Sequence, residues 1–321
     1  MTELLIKEGK REDIEAIISL QKLSLGEGAI PRSEAFWNWK HVDNPFGASP
    51  VLLAWNRDKL VAMRAFMNWQ WKMGGHTFQA LRAVDTATHP EWQGKGLFKK
   101  LTLQMIEAQK LNQKDFIFNT PNKQSLPGYL KMGWLELAQP DISIRIGSLK
   151  GLLNSNQLTL APKPAWDLQN IDWLELDNWL AKQPTEGIHT PKNSHYLQWR
   201  YLHIPEFKYF GCFSAADGGG LLIGRIKLTS TLPELRITEL MGPNTSYIKS
   251  ELKKMIQYYS PAFISTMIGL DQTRQFPLKN TGFIKIPNLG PKVTLRKINN
   301  IPNELLVKQS WSWTAGDMEL F

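Results

Sequence analysis

The sequence predicts an α/β (α+β) fold of two similar domains, each a mixed, mostly antiparallel, twisted sheet flanked by helices, the second degenerate. Two observations carry this. Residues 1–147 read in order as strand, two helices, three strands, helix, strand, helix and two strands. Residues 194–298 then repeat landmarks of the first part, in the same order and at similar spacing.

Leu4-Leu5-Ile6-Lys7 reads as a short strand. Over 11–25, Ile14, Ile17, Ile18, Leu20 and Leu23 recur at three and four residues, the period of a helix buried on one side. A second helix is expected over 33–41, with Ser33 as its N-cap. Between 51 and 88, apolar runs are broken by turn signals at Asn56-Arg57-Asp58 and Gly74-Gly75, which predicts a three-stranded antiparallel meander. Leu97, Leu101, Met105 and Ala108 mark one face of a helix reaching residue 111. A short strand at 116–118, a helix at 125–131 and strands at 134–137 and 142–146 complete the first unit.

The stretch 148–193 differs. Pro162 and Pro164 sit in polar sequence, and only 171–182 has helical spacing, with Trp173, Leu176, Trp179 and Leu180 on one face. It reads as a linker carrying one docking helix. Beyond it, Trp199-Arg200-Tyr201 with Pro205 echoes Trp39-Lys40-His41 with Pro45. Ile223-Gly224-Arg225 echoes Ala62-Met63-Arg64, and Arg236-Ile237-Thr238-Glu239 echoes Arg82-Ala83-Val84-Asp85. Leu278 to Phe283 resembles Leu130 to Trp134. The expected boundaries are 1–147, 148–193, 194–298 and a tail, 299–321.

The chemistry concentrates after the third strand of the meander. His89-Pro90 leads into Glu91-Trp92-Gln93-Gly94-Lys95-Gly96 and then a helix. Glycines there allow close backbone approach, and successive amides with a helix N-terminus can converge on an anion. A dinucleotide fingerprint would need a third glycine where Lys99 stands, and a P-loop would need Gly-Lys-Ser/Thr. Taken alone, the loop is either a phosphate cradle or a plain strand-to-helix turn.

In this context the chain resembles the GNAT superfamily of N-acetyltransferases, in the tandem, two-domain form. The family loop, Gln/Arg-x-x-Gly-x-Gly/Ala, is matched at Gly94 and Gly96, with Glu91 in place of the usual Gln or Arg. Downstream, Asn122, Ser125, Tyr129 and Gly133-Trp134 look like the family segment after strand five. The resemblance spans residues 3–147 well, and 194–298 looks like a worn second copy.

The resemblance implies acetyl-coenzyme A as co-substrate. It implies that backbone groups of Thr86, Ala87 and Thr88 pair with the pantetheine arm, one amide near Ala87 polarising the thioester. Gln93, Gly94, Lys95, Gly96, Leu97 and Phe98 would surround the pyrophosphate, and Asn122 and Ser125 would contact the arm. Tyr129 holds the family position of the acid that protonates the departing thiolate; the alternative is a core tyrosine. The acceptor implied is a primary amine of a small molecule.

Asp85 is a candidate base, or else a structural partner of an arginine such as Arg82. His89 reads as shaping the turn before Pro90. The second half has Gly242 alone where two glycines are expected and no counterpart of Tyr129, so it should bind no cofactor and form one wall of the acceptor cleft. By analogy with two-domain aminoglycoside acetyltransferases of the enhanced-intracellular-survival type, Asp317 or the Phe321 carboxylate would serve the amine; a tail that packs is the alternative. Trp37, Trp39, Trp69 and Trp71 suit either sugar stacking or core packing, and an amino sugar is the first acceptor class suggested.

Composition limits the rivals. At 321 residues, 42% apolar and 21% charged, the chain has the balance of a globular protein of two domains. Its apolar runs are far short of a membrane span, and no basic-then-apolar leader opens it. A single cysteine, Cys212, excludes an internal disulfide and fits a cytoplasmic setting. None of the six histidines has metal-ligand spacing, so no metal is expected. The net charge of +9 raises nucleic acid as a partner, yet the cations are scattered and the phosphates of coenzyme A suit a positive excess equally. A non-catalytic acyl-CoA-binding module is the remaining alternative.

Overall fold

The computed structural model describes residues 4–26, 31–153, 163–228, 232–267 and 281–318. The first sheet starts with β1 (Leu5–Glu8), β2 (Val51–Asn56), β3 (Lys59–Met73) and β4 (His76–Thr88), all antiparallel neighbours. β5 (Phe116–Asn119) lies parallel to β4. The predicted meander is thus present, with its turns at Arg57-Asp58 and Gly74-Gly75.

Helices cover both faces of this sheet. α1 (Ile14–Leu25) sets Ile14, Ile17 and Leu20 against Leu53, Met63 and Ala87. α2 (Glu34–His41) starts where Ser33 Oγ accepts the amide hydrogen of Phe36, as expected of an N-cap. On the opposite face, α3 (Leu97–Leu111) buries Leu97, Leu101 and Met105 over Phe66, Leu81 and Ile117. α4 (Leu126–Lys131) ends at Gly133, and Trp134 turns into the same core.

The sheets do not respect the expected boundaries at 147 and 194. β6 (Leu135–Ala138) closes the first sheet, but β7 (Ile142–Ile146) leaves it for the second. The place between β5 and β6 is filled by β13 (Val293–Lys297), antiparallel to both. The second sheet runs β8 (Phe210–Ser214), β9 (Gly220–Leu228), β10 (Pro233–Met241), β11 (Phe263–Thr266), β7 and β12 (Ile284–Ile286). Each half therefore lends the other a strand in the same slot. From β2 and from β8 onward the two orders correspond, including the parallel pair, β4–β5 in one and β10–β11 in the other. A helix, Thr245–Tyr259, covers the second sheet through Ile248, Leu252 and Met255, in the position of α3.

Between the sheets lies an aromatic core. Trp69 and Trp71 from β3 and Phe116 and Phe118 from β5 meet Tyr196, Trp199, Leu221, Ile223, Trp311 and Trp313 from the second half. Trp39 and Trp199 stack at 5.1 Å between centroids, and each indole N–H donates to the other's carbonyl, at 2.6 and 2.7 Å. These two residues were matched in the sequence repeat, and they meet across the seam. The linker helix is shorter than predicted, Trp173–Leu180, and docks through Leu176 and Trp179. Trp199→Ala removes a buried ring and leaves the Trp39 carbonyl without its indole donor, so it should cost about 3–5 kcal/mol in urea unfolding.

Candidate active site

β4 and β5 pair over three positions, from Ala80–Phe116 to Arg82–Phe118, and then separate. β4 runs on to Thr88, so its edge from Ala83 faces no strand on that side among the described residues. Within this stretch the ladder to β3 slips: Val84 faces Ala65, Thr86 faces Arg64, and Asp85 is the extra residue. Asp85 has φ +26°, a left-handed value that the bulge imposes and that re-aims the chain at the mouth of the gap.

Past Thr88 the chain makes a 3-10 turn, Pro90–Trp92, capped by His89, whose Nδ1 accepts the amide hydrogen of Glu91. His89 therefore shapes the turn, as read from the sequence. Gly94 and Gly96 have φ of +72° and +78°, which side-chain-bearing residues rarely adopt. Gly96 precedes Leu97, the first residue of α3, so the first-turn amides of that helix have no backbone acceptor among the described residues. Gln93 Nε2 donates to the Thr88 carbonyl, and Lys95 lies over Trp92. Leu97 packs in the core and Phe98 sits edge-on to Tyr129, which leaves their backbone N–H groups as the ones open to an anion. Glu91, which departs from the family pattern, is exposed and faces Lys59.

Where β4 and β5 part, a cavity of about 780 Å³ opens, within the range of roughly 300–1,000 Å³ usual for small-molecule sites. Val84, Asp85, Thr86, Asn122, Ser125 and Tyr129 line one side. Lys227 and Arg236, Ser265 to Met267, and Ala315 and Met318 line the other. Asn122 Oδ1 accepts from the amides of Gln124 and Ser125 and from Ser125 Oγ, so this pair holds its own turn in shape at the cavity wall.

Tyr129 is buried against Phe98 and Trp134, and its hydroxyl accepts a hydrogen bond from Arg64 Nη2 at 2.8 Å. Arg64 is only 1% exposed, reaches the Val84 carbonyl with Nη1, and has no carboxylate partner among the described residues. With one lone pair of the phenol engaged, the phenolic hydrogen is free to be donated towards the cavity. Sequence reading cited Arg64 only as a repeat landmark. The signal was available: one charged residue in the otherwise apolar run Val61 to Met67.

The Asp85 carboxylate is engaged by Lys40 Nζ at 2.7 Å and His41 Nε2 at 2.8 Å, not by Arg82. Burial alone would raise its pKa, but the Lys40 charge and the His41 hydrogen bond outweigh this and hold it far below the usual 3.8. Burial also lowers His41, against the pull of Asp85, which favours the neutral ring donating through Nε2. A carboxylate so stabilised is a poor proton acceptor, which weighs against Asp85 as the base. Its depressed pKa contributes stability above pH 3.8 that fades as pH falls below it. Asp85→Asn should lower stability at pH 7 by about 3 kcal/mol, because it leaves Lys40 buried and unpaired, and should flatten the acid limb of thermal melts.

Arg82 and Arg200, both buried, hold the tail: Arg82 donates to the carbonyls of Asp317 and Met318, and Arg200 to that of Gly316. Asp317 is fully buried, accepts from the amide and hydroxyl of Thr314, and does not line the cavity. Gly316 is required by space, since a Cβ there would lie 2.0 Å from Tyr201 Oη. As far as Met318, which lines the cavity, the described tail packs; Phe321, the other carboxylate read as serving the amine, lies outside the described residues. Trp37, Trp39, Trp69 and Trp71 are 6%, 4%, 1% and 0% exposed, and none lines the cavity, so core packing accounts for them. Among the described residues no group of histidine, cysteine or carboxylates could hold a metal ion, and no helix is long and apolar enough to cross a membrane.

A mixed sheet opened between two parallel strands, beside a glycine loop that starts a helix, defines a GNAT-type acyltransferase fold. Residues 5–136 match the family model of the acetyltransferase (GNAT) domain, and this part of the chain is a GNAT domain. A probable N-acyltransferase from Enterococcus faecalis shares 12% identity over 92% of this chain and 73% of that one, with a TM-score of 0.65. A GCN5-related N-acetyltransferase from Anabaena variabilis gives 14%, 92%, 73% and 0.63 for the same measures. Eis1 from Mycobacterium abscessus gives 12%, 92%, 74% and 0.57. These likenesses extend the shared fold to both halves. No curated protein matches the chain.

Proposed function

We propose that this chain transfers an acetyl group from acetyl-coenzyme A to a primary amine of a small molecule. The observation that carries the proposal is the free edge of β4 beyond Arg82, with Tyr129 buried in the wall of the gap. Backbone groups of Thr86, Ala87 and Thr88 would hold the pantetheine arm there, and the amides of Gln93 to Phe98 the pyrophosphate. When bound, acetyl-coenzyme A supplies a thioester. Tyr129 Oη, oriented by Arg64, holds a proton for the departing thiolate. The second half is read as a worn GNAT unit: Gly242 stands alone after β10, and the tyrosine has no counterpart. It serves as a wall of the acceptor cleft.

One observation favours a second reading, a non-catalytic acyl-CoA-binding module. Asp85 is the one carboxylate among the described lining residues, and its Oδ2 is already engaged by Lys40 and His41. Acetyl-coenzyme A should raise the thermal midpoint, and thiol release in a screen of amines separates the readings. Protection with turnover supports the enzyme, protection without turnover the module, and no protection removes both.

A further inference from the structure

We propose that Asp85, Lys40 and His41 are positioning residues for the cofactor arm, fixing the bulge from which the free edge of β4 begins. This rests on the function proposed above and concerns the same site. Thr86, Ala87 and Thr88 follow the bulge directly, so the bulge sets the direction in which their backbone groups face. Two consecutive residues pin it. The Val84 carbonyl accepts a hydrogen bond from Arg64 Nη1, and the Asp85 carboxylate meets Lys40 Nζ at 2.7 Å and His41 Nε2 at 2.8 Å. The φ of +26° at Asp85 is unfavourable for a residue with a side chain, so the strand relaxes unless that side chain is held.

A hold positions a strand only if its own base is fixed. Lys40 and His41 end α2, and both are buried. The same helix is tied to the second half at its N-cap, where Ser33 Oγ donates to Glu206 Oε1 at 2.6 Å, and at Trp39, stacked on Trp199. The clasp therefore carries the placement of the seam to the mouth of the gap. Stability alone does not account for it, because well-packed apolar residues often replace a buried ion pair at no cost. What the pair adds is direction: Lys40 and His41 converge on one oxygen, Asp85 Oδ2.

The test is calorimetry on the full chain with coenzyme A and with 3′-phospho-ADP, which is coenzyme A without its pantetheine arm. In the wild type the arm adds affinity, so coenzyme A should bind the more tightly. Lys40→Met/Asp85→Gly removes both charges together, leaves no unpaired buried ion, and places a glycine where φ is positive. It should lose about tenfold in affinity for coenzyme A and less than about twofold for 3′-phospho-ADP. Lys40→Gln, which loosens the hold without touching β4, should move coenzyme A affinity alone by about threefold, and decides the matter if the double variant does not fold. Leu252→Ala, in the separate core of the second sheet, controls for lost stability and should leave both affinities in place. Equal losses for the two ligands, no loss for either, or the same arm-specific loss in Leu252→Ala would overturn the proposal. So would a wild type that binds both ligands equally, since the edge would then hold no arm. Failure of the wild type to bind coenzyme A removes the parent function and this inference with it, whereas wild-type binding that the clasp variants leave unchanged removes this inference alone.

Discussion

Tyr129→Phe is expected to lower kcat by about 10²–10⁴-fold, the usual contribution of a placed general acid, with coenzyme A affinity nearly unchanged. The ring would still fill its place between Phe98 and Trp134, so the fold and the cavity wall remain. What disappears is the proton at Oη and the acceptor for Arg64. Steady-state rates at saturating acetyl-coenzyme A, together with a binding titration, separate the acid from a merely packed ring. Equal loss of binding and turnover would assign Tyr129 to packing.

The second large effect concerns how the chain is divided. Residues 1–147 expressed alone should not give a folded domain, although they hold the loop, Tyr129 and all the family-matched sequence. β13 would be missing from between β5 and β6, exposing the Phe116-Ile117-Phe118 edge and detaching β6. β7 would have lost β11 and β12, and the faces of Trp69 and Trp71 would lie open to water. The fragment should aggregate or lack cooperative unfolding by near-ultraviolet dichroism. A soluble, cooperatively melting fragment would mean that the strand exchange contributes little to the first sheet.

That exchange also shows where sequence reading stops. Ile142, Ile144 and Ile146 alternate in the same way whichever sheet receives them, because a period of two states the exposure of a strand and not its partner. The order of elements, the Ser33 cap and the glycine loop are local signals and were legible. So was the repeat: Trp39 and Trp199, matched by spacing, are the residues that stack across the seam. Asp85 was legible as a charged residue on β4, but its partners sit over forty residues away on α2, and no local pattern points to Lys40 and His41. Arg64 needed burial to be noticed, since a lone arginine in a strand is ordinary until its surroundings are known.

The central claim is one coenzyme A site per chain, at the free edge of β4 and the start of α3. Titration calorimetry with acetyl-coenzyme A tests it most directly, on the wild type and on Gly96→Glu, which places a carboxylate and an unfavourable φ in the loop. The wild type should bind saturably at one equivalent per chain and the variant should lose binding, with the fold retained by circular dichroism. Binding of two equivalents, or an unchanged isotherm for Gly96→Glu, would contradict it.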